Sequence, residues 1–279
     1  VAHGLRLSDG SIGGKGGNRH HPGGGFHRQT IFGFDSTLPV TMDLLIPHTK
    51  AVRQGAPGAF LVGDMPYMSY QVSPQEAIRN AGRFMAECGC DAVKLKGGRE
   101  VIDTVKALIK ATIPVAGHLG LTPQSIAMLG GFKAQGRDAD TAMRIIEDAR
   151  ALEEAGACFL LEAIPPEVSK VITRNANVPI IGIGAGPHVD GQCLIVHDML
   201  GMFEAFTPKF VKKYADIGER IVQAMEAFKQ DLNQRNRVFS EAIHNYHGSR
   251  RKNPVSPKVS DVYIKRRSPR PTGRRPGSR

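Results

Sequence analysis

The chain alternates between two hydrophobic rhythms. Short runs that are wholly apolar or apolar at every second position are followed by longer stretches in which apolar residues return at three- and four-residue intervals. The first rhythm reads as strand and the second as amphipathic helix. GAFLVGD (58–64) reads as a strand, and SPQEAIRNAGRFMAECG (73–89) as the helix after it. That helix carries its own punctuation: Ser73 as N-cap, Pro74 in the first turn, Glu76 three residues after the cap and a glycine at the end. DAVKLKGG (91–98) is the next strand and REVIDTVKALIKA (99–111) the next helix, apolar at 101, 102, 105, 108 and 109. IPVAGHLG (113–120) is a strand, 138–156 a helix, ACFLLEAIP (157–165) a strand, PEVSKVITRNA (166–176) a helix, and VPIIGIGAG (178–186) a strand ending in glycines. KFVKKYADI (209–217) reads as a further short strand, and GERIVQAMEAFKQDL (218–232) as the helix behind it.

Strands that alternate with helices predict βαβ units and a parallel sheet. Each strand here is apolar at its start and ends in a polar residue or glycine. That pattern points to a (β/α) barrel of the TIM type, whose chemistry gathers at the strand C-termini. Six strand–helix units are predicted where a closed barrel has eight, so two βα units are expected to be lacking.

Composition divides the chain into three. Residues 1–34 hold ten glycines and four histidines and have almost no apolar periodicity; a disordered leader is expected there. Residues 235–279 carry 13 Lys/Arg against 2 Asp/Glu in an Arg-, Pro- and Ser-rich setting, and are expected to be a disordered basic tail. The net charge of +11 belongs to these ends, because residues 35–234 hold 20 bases and 23 acids. The partial barrel of 35–234 is therefore not a basic domain, and nucleic acid is not its expected partner. No apolar run approaches the roughly 20 residues of a membrane helix. The four cysteines (Cys88, Cys90, Cys158, Cys193) fit no zinc spacing, so reduced buried thiols and a cytoplasmic location are expected.

The polar residues at the predicted strand ends are Asp64, Lys94, Lys96, His118 and Glu162. In DAVKLKGG the alternation sends Lys94 and Lys96 to one face, roughly 7 Å apart along the strand. Asp64 suits a hard cation such as Mg²⁺ or caps the turn before Pro66. Lys94 suits a carboxylate. Glu162 follows an apolar strand and precedes IPP, so it is expected to be partly desolvated, as a general base requires; the alternative is an ion pair with Lys94. His118, between two glycines, reads equally as a site residue or a core histidine. GIGAG (182–186) permits a phosphate-binding turn or simply a tight barrel turn.

Longer motifs narrow these choices. GFDSTLPVTMD (33–43), HTKAVRQGAP (48–57), GDMPYMSY (63–70), DAVKLKGG (91–98), PVAGHLGLTPQS (114–125), GGFKAQGR (130–137), DGQCLIVHDMLG (190–201) and PKFVKKYADI (208–217) run in order along the chain. Together they closely resemble the ketopantoate hydroxymethyltransferase family. The resemblance implies a (β/α)8 barrel, commonly a decamer, hence a homo-oligomer. It implies transfer of a hydroxymethyl group from 5,10-methylenetetrahydrofolate to 3-methyl-2-oxobutanoate with Mg²⁺. By the same resemblance Asp64 matches a Mg²⁺ ligand beside the oxo acid, Lys94 the lysine that holds its carboxylate, Glu162 the proton acceptor and His118 a pocket histidine.

Two positions differ from the family pattern. A GDSLG-type turn, which brings a second Asp ligand and a Ser, has no counterpart in GNRHHPGGGFHR before Gln29. The pattern VKxEGG places a Glu near the metal where this chain has Lys96. Weak Mg²⁺ binding and impaired turnover are therefore expected. Two other functions compete: a phosphate-handling barrel aldolase or isomerase with Lys94 as a Schiff-base amine, and an inactive barrel whose tail binds nucleic acid.

Overall fold

The computed structural model describes residues 33–34, 37–122, 135–203 and 207–233. The leader and the basic tail lie outside the described residues, as do 123–134, which hold part of the GHLGLTPQS and GGFKAQGR motifs. By internal contacts the chain divides after Gln223.

The first unit is built from α1 (Met42–Gly55), β1 (Val62–Asp64), α2 (Pro74–Cys88), β2 (Ala92–Lys96), α3 (Ile102–Lys110), β3 (Val115–Gly120), α4 (Ala139–Glu154), β4 (Cys158–Glu162), α5 (Pro166–Asn175), β5 (Ile180–Ile183), β6 (Gly191–Gln192) and the short α6 (Val196–Met199). A last helix, α7, runs Ile217–Asn233, and its residues from Ala224 belong to the second unit. The helix signals read from sequence are the ones used. Ser73 Oγ accepts the Glu76 N–H at 3.2 Å, Pro74 opens α2, and Gly89 closes it with φ 63°. Asp138 caps α4 by accepting the Thr141 N–H at 2.8 Å.

The six strands form one parallel sheet in chain order, β1 to β6. A parallel connection is almost always right-handed, so strands added steadily in one direction put every crossover helix on the same face. The packing follows that rule. Val93, Leu95, Val115, Leu119, Phe159, Leu161 and Ile180 alternate onto the face that meets Ala81, Phe84, Leu108, Ala149, Leu152 and Ile172 of the helices, in one buried core. Phe84, Leu108 and Leu152 are fully buried, and each contributes about 1.5–3 kcal/mol by leaving water. On this face the helices come so close that two strand positions carry no side chain. A Cβ on Gly63 would lie 2.7 Å from the Phe84 ring, and one on Gly117 would lie 2.6 Å from a Leu152 methyl.

The opposite face takes the alternate residues. Leu160, Ile181 and Ile183 form a small separate cluster there with Cys193 and Ile195. The same face carries Asp64, Lys94, Lys96, His118 and Glu162.

Two expectations about the elements need correction. KFVKKYADI is not a strand. Its backbone bonds run back to the turn after α6, with Tyr214 N–H on Met199 O and Ile217 N–H on Leu200 O, so no sheet edge receives it. Phe210 and Tyr214 stay exposed. The sixth strand is instead Gly191–Gln192, which pairs with Ile181 and Gly182 and has no apolar alternation to announce it. The helix α1, opened by Thr41 as N-cap, also went unread.

Candidate active site

The polar strand ends fall on the face opposite the α2–α5 layer because of register. Asp64 lies opposite Lys94, Lys96 opposite His118, and Gly120 opposite Glu162. Side chains alternate, so Asp64, Lys94, Lys96, His118 and Glu162 all project to the side away from the helices. They divide into a group of three and a pair.

The first group spans β1 and β2. Lys96 Nζ lies 2.9 Å from Asp64 Oδ1, and Lys94 Nζ 3.5 Å from the same oxygen. Two ammonium groups thus share one carboxylate oxygen. All three side chains are largely withdrawn from solvent, at 7% exposure for Lys96, 15% for Lys94 and 9% for Asp64. β1 ends at Asp64, so the backbone of Lys96 lies beyond its neighbour's reach. Tyr70 covers that gap: its buried hydroxyl donates to Lys96 O at 2.9 Å and accepts the Lys96 N–H at 3.2 Å. Tyr70 lies in the GDMPYMSY motif but was not singled out from sequence, because a loop residue that satisfies a strand leaves no periodic trace.

The second group spans β3 and β4. His118 Nε2 lies 3.0 Å from Glu162 Oε2 and 3.1 Å from Leu121 O. Both neighbours are acceptors, so Nε2 carries the proton. Burial holds the imidazole below its ordinary pKa against the pull of Glu162, with Lys94 and Lys96 adding to the depression. The ring is therefore neutral, and its buried Nδ1 has no hydrogen-bond partner among the described residues. His118 is both a core histidine and a site residue. It orients Glu162 by donating its Nε2–H to the carboxylate. Past Glu162 the chain turns sharply: Ala163 adopts φ 49°, a left-handed conformation that costs a non-glycine residue about 1 kcal/mol. The expected alternative partner of Glu162, Lys94, is instead paired with Asp64.

GIGAG packs tightly. A Cβ on Gly184 would meet the Phe210 ring at 2.5 Å and one on Gly186 would meet Pro166 at 2.7 Å, and both residues have positive φ. Close packing and turn geometry account for these glycines.

A sequence model of the ketopantoate hydroxymethyltransferase family matches residues 26–239. The chain belongs to this family. The 3-methyl-2-oxobutanoate hydroxymethyltransferase of Syntrophomonas wolfei is 54% identical over 203 residues, covering 72% of this chain and 74% of that protein. The one from Desulfotalea psychrophila is 52% identical over 221 residues, covering 79% and 78%. A solved structure, 2,3-dimethylmalate lyase of the PEP mutase/isocitrate lyase superfamily, aligns at TM-score 0.45 and 11% identity, covering 85% of this chain and 82% of its own. Membership makes the chain a hydroxymethyltransferase-family enzyme and places the paired groups above in a transferase.

The Mg²⁺ implied by the family resemblance does not fit the described residues. No cluster of three or more His, Cys, Asp or Glu side chains is placed to hold a metal among them. Asp64, the carboxylate that would ligate it, has an ammonium at hydrogen-bond distance on Oδ1. A dication about 5 Å from that ammonium would be repelled by roughly 6–7 kcal/mol at an effective dielectric near 20.

Among the described residues no helix is long and apolar enough to cross a membrane. Cys88 and Cys90 are buried, as expected, and burial pushes the Cys90 thiol up to about 12.

Proposed function

We infer that this chain forms the enolate of 3-methyl-2-oxobutanoate and adds to it a hydroxymethyl group derived from 5,10-methylenetetrahydrofolate. The observation that carries this reading is the convergence of Lys94 and the His118–Glu162 pair on the face opposite the α2–α5 layer of a sheet whose sequence belongs to the ketopantoate hydroxymethyltransferase family.

The chemistry follows from the groups present. Lys94 suits the substrate carboxylate by charge. Glu162, fixed by His118, removes the C3 proton. The electron pair left on C3 delocalises into the 2-oxo group, and ammonium groups stabilise the resulting negative oxygen. Net, a C3–H bond is replaced by C3–CH₂OH, with water supplying the hydroxyl and tetrahydrofolate leaving. His118, held below its ordinary pKa by burial, donates its Nε2–H to Glu162 and fixes the base in place.

The fold reading that accompanies this function is a sector of an eight-stranded barrel short of two βα units. The single-faced helix layer and the chain-order sheet support it, since an open doubly wound sheet carries helices on both faces. A homo-oligomer and a cytoplasmic location complete the proposal, the latter supported by four free cysteines, of which Cys88 and Cys90 are buried and Cys158 and Cys193, against expectation, only half-buried. The direct assay is turnover of 3-methyl-2-oxobutanoate with 5,10-methylenetetrahydrofolate, followed by formation of the hydroxymethylated acid. Product formation is expected from the wild-type chain. Its absence, with the oxo acid also failing to bind, removes the reading.

A further inference from the structure

We propose that Lys96 takes the place of a divalent ion in this chain, so that the 2-oxo acid is held between two ammonium groups without metal; this rests on the reading above. Three observations carry it. First, Lys96 Nζ already sits where a cation serving Asp64 belongs, 2.9 Å from Oδ1. Second, it is not a surface side chain that happens to reach inward. Its side chain is 7% exposed, its neighbours Leu95 and Val93 are fully buried on the helix side, and Tyr70 grips its N–H and C=O together. The ammonium is presented by a rigid strand end. Third, Lys94 approaches the same oxygen from across the strand pair, at 3.5 Å.

An ammonium has three N–H donors and no acceptor. Lys96 donates to Asp64 Oδ1 at 2.9 Å, and Lys94 lies 3.5 Å from the same oxygen. A 2-oxo acid presents a carboxylate oxygen and a carbonyl oxygen side by side, the pair of acceptors that two adjacent ammonium groups can bridge. Asp64 then acts as the fixed counter-charge that keeps both lysines protonated and aimed. A divalent ion competing for this place has to displace Lys96 from its salt bridge and stand against two positive charges.

The test measures binding. Titration calorimetry follows 3-methyl-2-oxobutanoate binding to the full chain, with and without EDTA. Electron paramagnetic resonance follows Mn²⁺ alone as the metal probe. The wild type is expected to bind the acid equally, within about twofold, in both buffers, and to show no saturable Mn²⁺ site. Lys96→Glu should reverse both properties, gaining a saturable Mn²⁺ site and losing acid binding in EDTA. Lys96→Met, which keeps length without charge, should weaken acid binding about tenfold or more and should not gain Mn²⁺; it carries the test if the Glu variant fails to fold. Saturable Mn²⁺ binding to the wild type that Mg²⁺ displaces, or acid binding abolished by EDTA, overturns this inference and leaves the proposed function standing. Acid binding in neither buffer overturns both.

Discussion

The two ends of the sheet use the same residue types for different work. At the strand N-termini, Asp91 precedes β2 and accepts the Leu61 N–H at 2.7 Å and an Arg53 N–H at 2.6 Å. Asp190 precedes β6 and accepts the Ile180 N–H at 2.9 Å. These carboxylates finish the backbone ladder, and the hydrogen bond from Leu61 holds Asp91 below its usual pKa, helped by Arg53. At the C-termini, Asp64 and Glu162 face other side chains: two lysines for one, a neutral histidine for the other. A carboxylate whose partners are backbone groups is tied to the fold. One whose partners are side chains on the face opposite the α2–α5 layer can exchange them for a substrate. The difference separates structural from chemical carboxylates more sharply than burial does.

That contrast can be broken at either end. The largest effect is expected from Glu162→Gln, which keeps the hydrogen bond to His118 but cannot take a proton. Turnover should fall by about 10²- to 10⁴-fold, with the melting temperature changed little. A large loss of stability with activity per folded molecule intact would put Glu162 among the structural carboxylates.

On the helix face, Gly117→Ala drives a methyl into Leu152. A destabilisation of about 1–3 kcal/mol is expected in urea titrations. A neutral result would mean that α4 is free to retreat from the sheet.

A third variant concerns a buried acid away from the cluster. Asp198, on α6, is 4% exposed, and burial raises its pKa to about 6, opposed by Lys213. A folded-state pKa above the unfolded value means the fold prefers the protonated form. Stability from this group is present below about pH 4 and is lost as pH rises through about 6. Asp198→Asn, always neutral, should match the wild type near pH 4 and exceed it at pH 8 by up to about 2–3 kcal/mol. His118 works in the other direction. Its depressed pKa makes stability fall as pH drops below about 6.5, so between about pH 4 and 6 the two slopes oppose each other in the wild type. Denaturant melts of the wild type and Asp198→Asn across pH 4–8 isolate the Asp198 slope as their difference, and a difference that does not grow between pH 4 and 6 contradicts the assignment.

Asp91→Ala should have the smallest effect. It frees a buried N–H and a guanidinium and should cost about 1–2 kcal/mol, with turnover per folded molecule unchanged. A selective loss of turnover would erase the distinction between the two ends.

Much of this site was legible because the sheet is regular. Period-two alternation in DAVKLKGG alone puts Lys94 and Lys96 on one face, and the capping signals of α2 fix where that βα unit begins. What alternation does not give is register between strands. His118 and Glu162 meet although neither lies opposite the other: His118 is level with Leu160, and Glu162 with Gly120. Their pairing depends on the offset of β3 against β4, which no single strand encodes. The convergence of both lysines on Asp64 has the same origin. KFVKKYADI shows the limit from the other side, since a short apolar segment becomes a strand only where a sheet edge receives it, and its backbone bonds go to the turn after α6 instead. Tyr70 was hidden for a related reason: its role is to replace a missing strand, and that need appears only once β1 is seen to end at Asp64.

The central claim is that the polar strand ends form an enolate, with Glu162 as the base. Solvent exchange at C3 of 3-methyl-2-oxobutanoate in D₂O, followed by proton NMR without folate, tests that step by itself. The wild-type chain should wash out the C3 proton signal and the Glu162→Gln variant should leave it. Equal exchange by the two proteins, or none by a wild type that binds the acid, would contradict the account.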